Sequence, residues 1–451
     1  MHKNQQPKPS NKLAWLGLLI PFMASSSFAI SYGTYDARAL AMGGAATAVG
    51  KPEQAAFYNP ALLGLHDKDE DDSRDGRFYM PMIVVQASDT VETAANAYDD
   101  NLDQDLSDAV ALYNQGDFQS AAAGVSQVAT DLRTALNDLG NNDLNLDGFV
   151  GLSISEPSLF EGGALYMGAR FIVAGSTAIS DTDVALLDRY IDAMDSVAAG
   201  TDPATVVATY PDLFDADGNL IDTTTNLTST ADVGALAIGE WGVALGKSWD
   251  LWDQKIAVGI TPKLMRVDAF RDSVDFTTET DTVDEVENSF SDTQTTYTSF
   301  NIDLGISAQV FDHFIVSFTG KDLFEKSFET QGDPDPITGE PTAGLPVTLS
   351  PRYRMGLAYV NNALSIGLDY DLAESKPMAR EMGTQELGIG AEYVLFKSLA
   401  LRAGYKTDQA EGGGSYSSLG LGWRLSRFVV DVAYTSGGDT QAGALQLGWA
   451  F

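Results

Sequence analysis

The chain of 451 residues contains no cysteine. That excludes a disulfide scaffold, thiol redox chemistry and any thiolate metal site. Histidine is scarce as well: the three are His2, His66 and His313. Basic residues are few, with 27 Lys and Arg against 63 Asp and Glu and a formal net charge of −36. So acidic a surface repels anionic polymers, and nucleic acid is not an expected partner. Beyond the first thirty residues, no apolar run reaches the length of a membrane-spanning helix. That absence leaves β-barrels untouched, because their strands carry a far weaker hydropathy signal.

The two ends are informative. Lys3, Lys8 and Lys12 precede an apolar run, Leu13–Ala24, and then comes "SSSFA", with Ser27 and Ala29 in the small-residue spacing of a signal-peptidase site. This reads as a secretory signal over residues 1–29, cut after Ala29. An N-terminal anchor helix is the alternative, and the short run disfavours it. The last ten residues read "AGALQLGWAF". Gly443, Leu445, Leu447, Trp449 and Phe451 fall on one face, with Ala444, Gln446, Gly448 and Ala450 on the other, which is strand periodicity up to a terminal aromatic. An ordinary half-buried strand gives the same alternation. The pattern also resembles the C-terminal signal of outer-membrane barrels, with Leu445, Leu447, Trp449 and Phe451 as its residues.

Alternation predicts fourteen strands, an even number as a single-chain bacterial barrel requires. Seven are expected at Arg77–Gln86, Gly148–Ser155, Ala164–Val173, Val233–Ser248, Lys255–Val267, Tyr297–Val310 and Phe314–Leu323. Seven more are expected at Pro351–Val360, Leu364–Leu372, Glu386–Leu395, Leu399–Lys406, Tyr416–Leu425, Arg427–Thr435 and Ala442–Phe451. The connections run alternately long and short. The long ones cover residues 87–147, 175–232, 268–296, 324–350 and 373–385, so all of them fall at one end of a barrel and the short turns at the other. Long external loops and short periplasmic turns are the expected asymmetry.

The faces agree. Leu364, Ile366, Leu368 and Tyr370 alternate on one strand, and Phe428, Val430, Val432 and Tyr434 on another. Tyr370, Tyr405 and Tyr434 fall at the outer ends, and Tyr359, Tyr393, Trp423 and Trp449 at the inner ends, as two aromatic girdles. The opposite faces carry Glu240, Lys263, Asp303, Arg354, Asp369, Glu392, Arg402, Arg424 and Asp431, which are therefore assigned to the lumen. Turned outward, each basic residue near the bilayer midplane would cost about 2–4 kcal/mol.

The first long loop holds twelve Asp or Glu against one Arg, is rich in alanine and lacks proline. Helices are expected near Val91–Tyr113 and Phe118–Leu139, and another from Asp183, over the barrel mouth. Two runs offer clustered oxygens: "DLNLDG", with Asp143, Asn145 and Asp147, and "DADGN", with Asp215 and Asp217. The first matches half of a calcium-loop pattern, but its twelfth position is Ile154 rather than Glu. Good turn formers give the same composition, and that reading is preferred. Once His2 leaves with the signal, His66 and His313 remain, and His313 sits in a predicted turn. No base can be assigned to a nucleophile, so no enzyme activity and no cofactor are expected.

The stretch between the signal and the first strand is small, apolar and glycine-rich, and it reads as too broken for a helix. Arg38, "AMGG" at Ala41–Gly44 and "AAFYNPA" at Ala55–Ala61 resemble the N-terminal segment of the FadL outer-membrane transporter superfamily. "GKDL" at Gly320–Leu323, "PRYRMGLAYV" at Pro351–Val360 and "LALRAGYKTD" at Leu399–Asp408 bring the chain nearer to conjugal-transfer TraF-like and PorV-like barrels. The resemblance implies an all-β fold, a fourteen-stranded antiparallel transmembrane barrel in the Gram-negative outer membrane, over residues 77–451. It also implies a lumenal hatch over residues 30–76, with Gly43, Gly44, Phe57, Tyr58, Asn59, Pro60 and Ala61 as its motif residues. Passage or binding of a small hydrophobic molecule is the leading expectation. A non-transporting component of a conjugal-transfer or secretion system is the alternative, and a passive porin is a third. The implied partners are membrane lipid, the barrel-assembly machinery, and a small hydrophobic ligand or transfer-system proteins.

Overall fold

The computed structural model describes residues 31–65, 76–99, 102–116, 118–140, 144–156, 162–251, 254–275, 294–329, 346–375, 383–410, 413–438 and 440–451. The expected signal peptide, His66 and Asp143 lie outside the described residues.

Backbone polar groups in a sheet stay unpaired only at its edges, and here the sheet has none. Fourteen strands pair antiparallel into a closed barrel. They are β1 (Arg77–Ser88), β2 (Leu144–Glu156), β3 (Gly163–Ala178), β4 (Thr230–Leu251), β5 (Gln254–Asp275), β6 (Thr295–Val310) and β7 (Phe314–Lys321). After a small hairpin, β8 (Lys326–Glu329) with β9 (Pro346–Leu349), the wall resumes. It continues through β10 (Arg352–Val360), β11 (Leu364–Asp371), β12 (Glu386–Leu395), β13 (Leu399–Asp408), β14 (Ser415–Leu425), β15 (Phe428–Gly437) and β16 (Thr440–Ala450). β16 pairs with β1, Phe78 opposite Trp449, and closure is completed by mutual backbone bonds between Gly76 and Phe451 at 3.1 and 3.2 Å. The β1 register shifts between Tyr79 and Met82, where Pro81 has no N–H to donate.

Period-two alternation sorts the side chains. Leu264, Leu357 and Leu421 face outward and are 56, 48 and 51 % exposed, whereas Lys263 and Glu392 on the inner face are 1 % exposed. Near the short-turn end the outward aromatics include Phe314, Tyr393, Trp423, Phe428 and Trp449. Near the long-loop end Tyr405 and Tyr434 are exposed. No described helix is long and apolar enough to cross a membrane.

Several expectations are corrected. β3, β4 and β5 run well past their predicted ends, to Ala178, from Thr230 and to Asp275. Hydropathy marks where the apolar band stops. Ladder bonds continue beyond it whatever the side chains are, since each N–H and C=O still needs a partner. The stretch "DLNLDG" is not a turn, because Leu144–Gly148 is the start of β2. The N-terminal segment is helical in part. It forms three short helices, α1 (Ala37–Ala41), α2 (Pro52–Tyr58) and α3 (Leu62–Leu65), broken at Gly43-Gly44 and at Asn59-Pro60. The loop between β7 and β10 folds its hairpin back inside. Phe328, Val347 and Leu349 are buried against Ile172, Leu236, Ile238, Met265 and Val267 on the inner face of β3–β5.

Beyond the long-loop end stand α4 (Asp89–Asp99), α5 (Leu102–Asn114), α6 (Phe118–Leu139), α7 (Asp181–Ala198) and α8 (Pro203–Thr209). Leu106, Val110, Tyr113, Val125, Leu136, Leu187, Tyr190 and Met194 give this lobe its own core.

Candidate functional site

The lumen is filled by residues 31–65, the segment flagged by its glycines and its Asn-Pro-Ala. Asp36 caps α1 by accepting from the Ala39 N–H at 3.0 Å, and Gln54 Nε2 donates to the same carboxylate at 2.8 Å. Gly43 (φ +63°) and Gly44 (φ +84°) turn the chain after α1 in the left-handed region that favours glycine. Pro60 keeps Asn59 extended (φ −157°) at the end of α2. Asn59 then works three ways. Its Nδ2 donates to the Thr47 carbonyl at 2.8 Å and to Ser307 Oγ on β6 at 3.0 Å, and its Oδ1 accepts from the Ala61 N–H at 3.1 Å.

The wall makes room for this plug by omitting side chains. Gly246, Gly259 and Gly305 lie in register across β4, β5 and β6. A Cβ on Gly246 would meet the Pro60 oxygen at 2.7 Å, and one on Gly259 or Gly305 would strike Pro60 or Asn59. A second row, Gly367, Gly390 and Gly404, crosses β11, β12 and β13. It meets Val49, Met42 and Gly43 in the same way. Each plug motif therefore has its own glycine row, Asn-Pro-Ala on the first and the Met-Gly-Gly turn on the second. The sequence reading missed both rows.

Charge fixes what sterics admit. Arg38 sends Nε and Nη2 to Glu392 at 3.0 and 3.2 Å and Nη1 to Gln54 at 2.9 Å. Glu392 also takes Arg402 at 2.7 Å and Lys51 at 3.3 Å, and Arg402 reaches Asp431 at 2.6 Å. Asp369 accepts the Ala46 and Thr47 N–H groups at 2.9 and 2.8 Å. Wall cations hold plug carbonyls: Lys321 to Phe57 at 2.5 Å, Lys255 to Leu65 at 3.2 Å, Arg170 and Arg352 to Ser31 at 2.7 and 2.6 Å. Around Lys263 stand Glu240 (3.3 Å), Asp303 (3.0 Å) and Asp322 (2.6 Å), the last also paired with Arg352. Arg354 joins Asp371 and Glu386 at 2.5 and 3.1 Å, and Lys406 joins Glu386 at 2.7 Å.

Eight of the nine residues assigned to the lumen, Glu240, Lys263, Asp303, Arg354, Asp369, Glu392, Arg402 and Asp431, thus sit inside, paired with one another or with the plug. Arg424 shares their face but stands exposed at the short-turn rim. Asp36, Arg170, Lys321, Asp322 and Arg352 were not assigned. Lys321 and Asp322 lie within the quoted "GKDL", at the strand end where alternation no longer gives a face.

One sector differs. Phe149 packs edge-to-face on Tyr35 and Phe57, and Phe57 on Tyr166, at 4.9–5.5 Å, while Tyr35 stacks on Phe57 at 5.8 Å. They surround a void of about 20 Å³ that Ile238, Met265 and Leu349 also line, with Arg170, Glu240 and Arg352 at its edge. Above it lies the apolar cluster under the hairpin, so the β2–β5 side of the lumen is a mainly aromatic and aliphatic file bordered by these three charges. Phe57 and Tyr58 are buried in it as part of the plug.

The candidate cation sites do not assemble. Asp147 is engaged by Arg170, with Nε at 3.0 Å, and Asn145 stands on the same strand, its N–H donating to Ser88 Oγ. Asp215 accepts from the N–H groups of Asp217 and Asn219 at 2.9 and 2.8 Å and from Asn219 Nδ2 at 3.0 Å, a turn closed on itself. The Asn219 bonds hold the Asp215 carboxyl below its ordinary range, as Arg189 does for Asp212. Among the described residues no group of three or more His, Asp or Glu could hold a metal.

The fold and this filling define a class, a fourteen-stranded barrel stoppered by its own N-terminal segment. A family model described as "F plasmid transfer operon, TraF, protein" matches residues 56–371, more than half of the chain. The chain belongs to that family. No match was found among curated proteins. Solved structures similar to it include the toluene transporter TbuX of Ralstonia pickettii, at 11 % identity, covering 93 % of this chain and 99 % of that one with a TM-score of 0.47. A FadL homologue of Pseudomonas aeruginosa is also similar, at 11 % identity, 94 % and 99 % coverage and a TM-score of 0.44. Nothing about function follows from overlaps of that size.

Proposed function

We propose that this protein is an outer-membrane barrel through which small hydrophobic molecules pass or in which they bind, gated by the plug. The observation that carries this reading is the mainly apolar file on the β2–β5 side, bordered by Arg170, Glu240 and Arg352, within a lumen that is otherwise charged. A sector walled mostly by aromatic and aliphatic side chains, with few polar groups at its edge, suits a small hydrophobic solute. The file is shut above by Phe328, Val347 and Leu349 and below by Phe57 and Tyr58, so passage requires the hairpin and the plug to move. The outward apolar face between two aromatic belts supports membrane insertion. The filled lumen argues against a passive porin, which needs a wide aqueous interior.

The test is uptake of ethylbenzene into proteoliposomes. Uptake above that of empty liposomes is expected, and Phe328→Asp, which puts a charge in the file, should reduce it about tenfold or more. A steady open conductance in planar bilayers, with no hydrocarbon uptake, would sink the reading.

A second reading, a surface component of a conjugal-transfer system, is favoured by the family match and by the helical lobe with its separate core. Unchanged mating efficiency on deletion would count against it.

A further inference from the structure

The short-turn end of the barrel opens into two adjoining cavities of about 730 and 620 Å³, which share Arg38, Lys51, Glu53 and Arg424 in their walls. Their floor is the lower surface of the plug. Across the two, six cations (Arg38, Lys51, Arg77, Lys397, Arg402 and Arg424) face four carboxylates (Glu53, Asp312, Glu392 and Asp431). That excess opposes the sign of a chain with formal charge −36.

Pairing takes up charges of both signs and leaves the excess at two, six cations against four carboxylates. Glu392 is shared by Arg38, Lys51 and Arg402, and Arg402 also takes up Asp431. Arg424 and Lys397 have no ion pair among the described residues, and neither do the carboxylates of Glu53 and Asp312. Low-dielectric walls focus such a field and raise the local concentration of anions. The size of the vestibule points to the form the anion takes. Its two adjoining cavities, about 730 and 620 Å³, are far larger than one carboxylate or phosphate group and suit an extended segment that carries several carboxylates. Val394, Ala400 and Val429 supply the apolar part of the lining.

We propose that this vestibule is a binding site for an acidic peptide segment of a partner protein, entering from the short-turn end, with Arg424 and Lys397 as its free cations. The proposal does not rest on hydrophobic passage, since the vestibule and the apolar file share no lining residue.

The experiment is calorimetry on the detergent-solubilised barrel with capped hexaglutamate, and with capped hexaglutamine, succinate and inorganic phosphate in parallel. Saturable binding of hexaglutamate alone is expected, weakening as salt is added. The double variant Arg424→Gln, Lys397→Asn should bind it about tenfold or more weakly. Asn is chosen because Lys397 has φ +58°, which Asn tolerates. Retained heat-modifiability on electrophoresis would show that the variant barrel is intact. Absence of saturable binding, equal affinity in the double variant, or succinate or phosphate binding as tightly as the peptide would each overturn the proposal.

Discussion

Gly404 has no side chain, and the backbone of Gly43 lies where its Cβ would be. Glycine weakens a strand interior by roughly 0.5–1 kcal/mol relative to alanine. A row of three in register therefore costs the sheet on the order of 2 kcal/mol, and there are two such rows. The wall gains in exchange a close approach that lets plug backbone and wall bury each other. Gly404→Val should reverse this. The added side chain meets main-chain atoms of Met42 and Gly43, which cannot move as a flexible side chain could. Overpacking of this kind costs about 1–3 kcal/mol. We expect a barrel that still runs as a folded species on electrophoresis, with residues 31–65 newly open to protease. Protection equal to wild type would contradict the glycine-seat account.

Elements differ in how far the sequence announces them. All fourteen wall strands are legible because each keeps a two-residue alternation with apolar side chains outward for eight or more residues, even on β2–β5 where the inner face is also largely apolar. The hairpin of β8 and β9 was not, since each strand has four residues and its apolar side chains face the lumen rather than the outside of the barrel. The lumenal charges were legible for the same reason as the strands. The glycine rows were not, because a glycine's task depends on what lies opposite, here a segment some two hundred to three hundred and fifty residues away in sequence. Among the helices, α7 shows how the lobe is fastened to the wall. Asp183 in its first turn is 2 % exposed and accepts from the Thr228 and Ser229 N–H groups at 2.8 and 2.7 Å, just ahead of β4. Asp183→Ala leaves the buried Ser229 N–H without its partner, at about 1–3 kcal/mol. Hydrogen exchange should quicken in Thr228–Ser229 and in the first turn of α7, while the barrel strands keep their protection. Unchanged exchange there would remove Asp183 as the fastening.

For the whole molecule, the plug and the charged wall form one neutralised body. Removing residues 31–65 strips Glu392 of Arg38 and Lys51 and leaves Asp369 without the two N–H groups it accepts. Buried charges without partners draw in water, and a fourteen-stranded interior is wide enough to hold it. The truncated chain should therefore carry a steady ion current in planar bilayers where the full chain carries none. A silent truncated barrel would mean that the hairpin alone seals it.

The reach of the plug's bonds sets a timetable. Asn59 is tied to Ser307 across 248 residues, and Arg38 to Glu392 across 354. The plug leaves the ribosome ahead of every strand, yet its seat exists only after β13 and β14 have joined the wall. Contacts this distant in sequence are the slowest to form. Until then an apolar, glycine-rich stretch has to wait uncovered, which makes a segment synthesised ahead of the whole wall the last to be safe.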